Sequence, residues 1–98
     1  MRVICTTSPD LADEVWPDEL PVVPRIGDEI QSATRWKQPN GGYFRLDLPV
    51  TGVRWVCSRD AEGVSNWVPE ILLDSGCNLK VFYQWYAPLV GKTVESFL

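Results

Sequence analysis

The chain has 98 residues, 45% of them apolar, and a formal charge of −4 at pH 7. That length fits a single small domain over 1–98 with a modest core, since a domain this small buries little more than ~60% of its unfolded surface. The composition excludes a disordered chain, no run of about 18 apolar residues offers a transmembrane helix, and the acidic total disfavours non-specific nucleic-acid binding.

The opening "RVICTT", residues 2–7, is apolar and β-branched and predicts a first strand. In "SPDLADEVW", Ser8 suits a helix N-cap, Pro9 the first helical position and Asp10 the positive helix end. Leu11 and Val15 then share a face at i, i+4, and Pro17 limits this helix to two turns. "PDELPVVP" carries three prolines and predicts an irregular, partly extended connection.

"PRIGDEI", 24–30, reads as a turn that launches a strand. Gly27 supplies a positive φ, Asp28 accepts hydrogen bonds from loop amides, and Ile30 resumes an inward face. Asp28 and Glu29 look like paired carboxylates, but neighbours on a strand point to opposite faces, which is poor for acid–base work.

A meander follows, formed by about 28–37, 42–48 and 52–58. Asn40-Gly41 is a hairpin signal, because both residues tolerate positive φ. "PVTG" predicts a second turn. The inner face is expected to hold Ile30, Phe44, Leu46, Leu48, Val53 and Trp55. "SRDAEGVS" reads as a polar loop. "NWVPEILLD" reads as a strand with Trp67, Ile71 and Leu73 on one face, and Pro69 places it at an edge or a bulge.

Residues 79–90 are ambiguous. "NLKVFYQWY" is aromatic enough for a strand, yet Lys80, Gln84, Pro88, Lys92 and Glu95 fall at helix-like intervals. The reading adopted is a strand to Tyr86, then a short helix from about Gly91.

"LPVVPRIGDEI", "YFRLDLPVTGVRWV" and "NWVPEILL" together resemble small bacterial SH3-like β-barrel proteins, of the kind found as stand-alone products of phages or mobile gene cassettes. The resemblance covers about residues 20–74 and implies a five-stranded curled sheet; it carries no catalytic residue across. The fold class expected is therefore mostly β with a minor α contribution: a small curled antiparallel sheet or partly open barrel, with short helical segments near the termini.

The chain has no histidine, which removes Ser-His-Asp and Cys-His catalysis and the common His-containing zinc sites. Neither phosphate-loop glycine pattern occurs. Carboxylate-only catalysis stays open, but the acids cluster in a loop, where solvation is the simpler explanation. No enzyme, cofactor or metal is expected. Cys5, Cys57 and Cys77 are odd in number and unpaired in spacing, and read as small buried hydrophobes in a cytoplasmic protein; the start of the chain lacks the long apolar stretch of a signal peptide.

Two functions remain. The first is a non-catalytic binding or assembly module acting as a homo-oligomer. Five tryptophans are many for so small a core, although packing of all five around one core stays open. The aromatic surplus lies in Trp16, Trp67, Phe82, Tyr83, Trp85 and Tyr86. Of these, Phe82, Tyr83, Trp85 and Tyr86 are expected at a homodimer interface; the alternative is that residues 8–24 cover them within the chain. The second is nucleic-acid binding on a sheet face. The chain is acidic over 1–29 (−5) but basic over 30–60 (+3), and Arg35, Tyr43, Arg45 and Arg54 are expected on the outer faces of three consecutive strands. Its alternative is an ordinary solvated face on which Glu29 and Asp47 pair with these arginines.

Overall fold

The computed structural model describes every residue except Asp10, Asp60, Val64 and Leu98. Six strands precede one helix: β1 (Ile4–Thr7), β2 (Glu29–Gln31), β3 (Trp36–Lys37), β4 (Tyr43–Phe44), β5 (Asp47–Arg59), β6 (Ser65–Leu73) and α1 (Leu79–Leu89), followed by a 3-10 turn over Val94–Phe97. Four strands form one curled sheet in the order β1-β6-β5-β2, a half-barrel, and β3 and β4 form a separate two-stranded ladder. The mostly-β expectation holds. The large sheet is mixed, however, because β1 runs parallel to β6, with Cys5 opposite Ile71, and it has four strands where the resemblance implies five.

The turn before β2 is built as its residues dictate. Gly27 has φ +99°. The Asp28 side chain accepts from the Arg25 amide at 2.9 Å, and Ile30 pairs with Leu48. The strand expected over 28–37 is interrupted, because Ser32 turns inward to a buried carboxylate and its amide bonds Leu46 instead. The Asn40-Gly41 hairpin forms. Gly41 takes φ +87°, the Asn40 side chain accepts from the Gly42 amide, and Lys37 faces Tyr43.

"PVTG" does not turn the chain. β5 runs through it as one strand, with a bulge between Val50 and Gly52 opposite β6. The extra residue switches the inward positions from Leu48 and Val50 to Val53 and Trp55, which explains the change of parity that the sequence shows. A bulge does what a turn was expected to do because β6 continues past it on the same side.

Leu46 and Leu48 are buried, and Ile30, Phe44 and Val53 pack against them half-buried. Trp55 is the correction: it is 53% exposed. Its parity is inward, but β5 and β6 run on beyond the body of the protein. β1 pairs only with Glu70–Leu73, so residues 65–69 of β6 have β5 on one side and no described strand on the other. Pro69 sits at that boundary, where its missing N–H costs no ladder bond to β1. The sequence reading of Pro69 as an edge residue is thus right locally, although β6 is an inner strand over Glu70–Leu73. Residues 55–59 and 65–68 form a two-stranded arm beyond the β1 pairing, with the buried Pro69 at its root. The radius of gyration is 15.4 Å and the extents are 48 × 28 × 26 Å, against roughly 12.5 Å for the radius of a compact domain of this length. The polar loop expected over 58–65 falls between β5 and β6; Asp60 and Val64 in it lie outside the described residues.

Residues 79–89 are helical throughout, correcting the strand expected to Tyr86. The Asn78 side chain caps the helix by accepting from the Lys80 amide at 2.8 Å. Pro88 falls in the last turn, where its missing N–H ends the helix rather than breaking it. Gly91, at φ +73°, then lets the Lys92 amide return to the Ala87 carbonyl. The helix buries Phe82, Tyr83, Tyr86 and Ala87, its three aromatics in one cluster with Ile71, Leu73 and Leu48.

The helix expected over 8–16 does not form. The Ser8 amide bonds the Leu73 carbonyl, and its side chain bonds Asp74, holding that carboxyl below its usual range. Both groups that would cap a helix are therefore spent on β6 and the loop after it. Pro9 and Leu11 are buried, whereas Val15 is exposed, so the two are not on one face. The role given to Asp10 lies outside the described residues. Among the described residues, no helix is long and apolar enough to cross a membrane.

Candidate functional site

Three parts of the surface bear on function, and the first is a buried polar knot. Glu14 is buried, and its carboxylate accepts from the Ser32 hydroxyl, the Tyr86 hydroxyl and, at 2.8 Å, the Trp36 indole N–H. Burial and the neighbouring Glu14 carboxylate push the Tyr86 hydroxyl far above the usual tyrosine range. Three donors from three segments close the oxygens of Glu14. The group ties the loop at 11–16 to the sheet and the helix, and its oxygens are engaged within the chain.

The second is the outer side of the β3–β4 ladder. The Arg35 guanidinium lies 4.1 Å from the centre of the Tyr43 ring. Lys37 pairs with Tyr43 across the ladder, and Arg45 follows on the same side, donating to Gln31 at 3.3 Å. No described carboxylate is in ion-pair range of Arg35, Lys37 or Arg45. Arg54 does not join them. It stands on the outer face of β5 and pairs with Glu70, which also accepts from Thr6. The structure therefore brings Arg35, Tyr43 and Arg45 together, adds Lys37, and leaves Arg54 apart. Lys37 was legible in the sequence, since the Asn40-Gly41 turn sets it opposite Tyr43.

The third is apolar and has two pieces. Of the four aromatics expected at an interface, Phe82, Tyr83 and Tyr86 are buried in the core of the single chain. Phe82 stacks on Tyr86 with ring centres 5.3 Å apart, and Tyr83 stacks on Phe97 at 4.8 Å. The cover comes from Leu11 and Trp16, within the 8–24 segment of the alternative reading, and from Phe97, whereas Val15, which that reading also used, is exposed. Trp85 alone stands out, 52% exposed, its ring edge against Phe44 at 5.6 Å. With Val81 one turn earlier it walls a groove of about 420 Å³, floored by Leu46, Leu48 and Phe82 and rimmed by Asp47 and Cys77.

The other piece is the arm. Cross-strand partners share a face of a sheet. Cys57 pairs with Trp67 and Trp55 with Pro69, so Trp55, Cys57 and Trp67 form one surface continuous with the buried Ile71 and Leu73. Trp67 is 66% exposed. Trp55 and Cys57 were expected inside and are the members of this surface that the sequence misplaced.

The cysteines divide the same way. Cys5 is half-buried, donates to the Pro17 carbonyl, and has its thiol pushed up by burial, as a small core residue. Cys57 and Cys77 are exposed, which corrects their reading as buried hydrophobes. A scan against protein-family models and searches of curated proteins and of solved structures return no match.

Proposed function

We propose that this protein is a non-catalytic assembly module that works as a homo-oligomer. One observation carries the reading: Trp55, Trp67 and Trp85 are each more than half exposed in a chain whose core is already closed by other aromatics. Together they present on the order of 400 Å² of indole surface to water. Trp55 and Trp67 share one sheet surface and Trp85 walls an apolar groove, and exposed apolar patches of this kind mark interaction sites.

The chemistry of the acids supports a non-catalytic role. Glu14 has its oxygens engaged by the protein's own donors, and Asp13, Asp18, Glu19, Asp28 and Glu29 lie on exposed loops and strand ends. Three thiols without disulfides support a reducing, cytoplasmic setting. Size-exclusion chromatography with light scattering tests the reading. A mass of two or more chains is expected at micromolar concentration, and a strict monomer at high concentration overturns it.

A second reading rests on the unpaired cations of the β3–β4 ladder. Arg35, Lys37 and Arg45 around an exposed Tyr43 offer phosphate contacts beside a stacking ring, the arrangement that single-stranded nucleic acids use. Titration of labelled single-stranded DNA and RNA at low salt separates the two. Absence of binding into the high micromolar range removes this second reading.

A further inference from the structure

The oligomer has a definite geometry, and this inference rests on the reading just given. We infer that two copies exchange arms: the Trp55–Cys57–Trp67 face of one copy seats in the Trp85 groove of the other, and the reverse contact forms at the same time.

The arm face and the groove are complementary in kind. The arm carries the only sheet surface of core parity that the body leaves uncovered among the described residues, continuous with Ile71 and Leu73. The groove is apolar on its floor and on its helical wall, through Leu46, Leu48, Phe82, Val81 and Trp85. At about 420 Å³ it lies in the range of sites that hold a small aromatic group.

The two cannot meet within one chain. Asp47, on the groove, and Trp55, on the arm, belong to the same continuous strand. Eight residues of strand separate them by roughly 25 Å, and a paired strand does not fold back on itself. The cover for each must come from another molecule.

Charge agrees. Arg59 follows Trp55 and Cys57 at the same parity along β5, on the docking face, and Asp47 stands at the groove with no described cation in ion-pair range. Seating the arm brings these opposite charges to one interface, where they favour encounter and register.

Area agrees as well. A stable interface buries about 800 Å² per partner. The three indoles supply about half of that, and a reciprocal exchange buries all three in each copy, together with Val81 and the rim. Because groove and arm are roughly 25 Å apart along the same strand, two copies set antiparallel satisfy both contacts at once and close the pair.

Cys57 and Cys77 report on this arrangement directly. Cys57 is on the arm face and Cys77 on the groove rim, both exposed. Within one chain they are roughly 30 Å apart by strand length, whereas the exchange brings Cys57 of one copy to Cys77 of the other. A short-spacer bismaleimide is the probe, one thiol adding across the double bond of each maleimide ring, sulfur to one carbon and the proton to the other, with peptide mapping of the linked product. The wild-type chain is expected to give a covalent dimer linked Cys57 to Cys77. Cys57→Ser and Cys77→Ser each lose that link by at least tenfold, and an equimolar mixture of the two variants regains it with one link per pair. A dimer that links only Cys77 to Cys77 means the helix faces meet directly; the exchange is then wrong while self-association stands. A ladder of ever larger adducts overturns the closed pair. A monomer by light scattering overturns both the exchange and the proposed function.

Discussion

The Tyr86 hydroxyl donates to the Glu14 carboxylate across 72 residues of sequence. It joins the helix to a loop that has no secondary structure of its own. Ser32, just past β2, and Trp36, on β3, complete the knot. The loop at 11–16 is therefore held by this polar centre, by the burial of Leu11, by the bonds of Val15 to Ala33 and Thr34 and by the Lys92–Asp13 ion pair, not by a helix.

Tyr86→Phe keeps the ring and its stack on Phe82 and removes only the hydroxyl. A buried acceptor that loses one of its donors destabilises by about 1–3 kcal/mol, and by more when it is charged. Urea denaturation should show the unfolding free energy falling by that amount, as a lower midpoint at an unchanged slope. An unchanged midpoint would mean that the carboxylate does not depend on Tyr86.

The same hydroxyl sets an alkaline limit. Burial first, then its bond to Glu14 and the charge there, raise its folded-state pKa above the unfolded value of about 10. A group raised on folding contributes its full stability below the unfolded pKa and loses it as pH climbs toward the folded one. Unfolding midpoints should thus be level up to about pH 10 on this account and fall above it. Tyr86→Phe should lack this component of the alkaline decline. A wild-type and variant decline of equal steepness would count against the linkage.

The helix itself shows what was and was not legible in the sequence. The "PRIGDEI" turn and the Asn40-Gly41 hairpin were readable because their own residues decide them: Gly27 and Gly41 take the positive φ, and Asp28 and Asn40 bond the nearby amides. Residues 79–86 carried two signals at once, aromatic strand propensity and helical spacing. The deciding one is Asn78 immediately before the apolar run, an N-cap signature that outweighs the strand propensity of the aromatics. Ser8-Pro9 was the opposite case, a good local cap overruled by bonds to Leu73 and Asp74 that no local rule foresees. The alternation of β5 placed Trp55 on the core side correctly; only the arrangement of the other elements reveals that the core ends before it. So the aromatic surplus was legible, but which indoles stay outside was not.

Asn78→Ala should cost about 0.5–2 kcal/mol, the usual value of an N-cap. Asn78→Asp should hold or raise stability, because a carboxylate favours the positive end of the helix. Circular dichroism with thermal melts reads both. Equal melts for all three chains would mean that burial of Phe82, Tyr83 and Tyr86 alone starts the helix.

The last expectation separates core from contact surface. Leu46 and Trp67 are both large and apolar, and both lie in or beside the sheet. Leu46 is buried among Leu48, Ile71 and Phe82, so Leu46→Ala removes apolar contacts and leaves a cavity, at about 2–5 kcal/mol. Trp67 stands on the arm, two-thirds exposed, and touches little that unfolding would release. In dilute solution, where the chain is single, Trp67→Ala should shift the unfolding free energy by no more than about 0.5 kcal/mol. At high concentration the order of effects changes. Association binds only the folded chain, so the wild-type melting temperature should rise with concentration, and so should that of Leu46→Ala from its lower start. Trp67→Ala should lose that concentration dependence. A Trp67→Ala melt that still climbs with concentration as the wild type does would show that the arm takes no part in association.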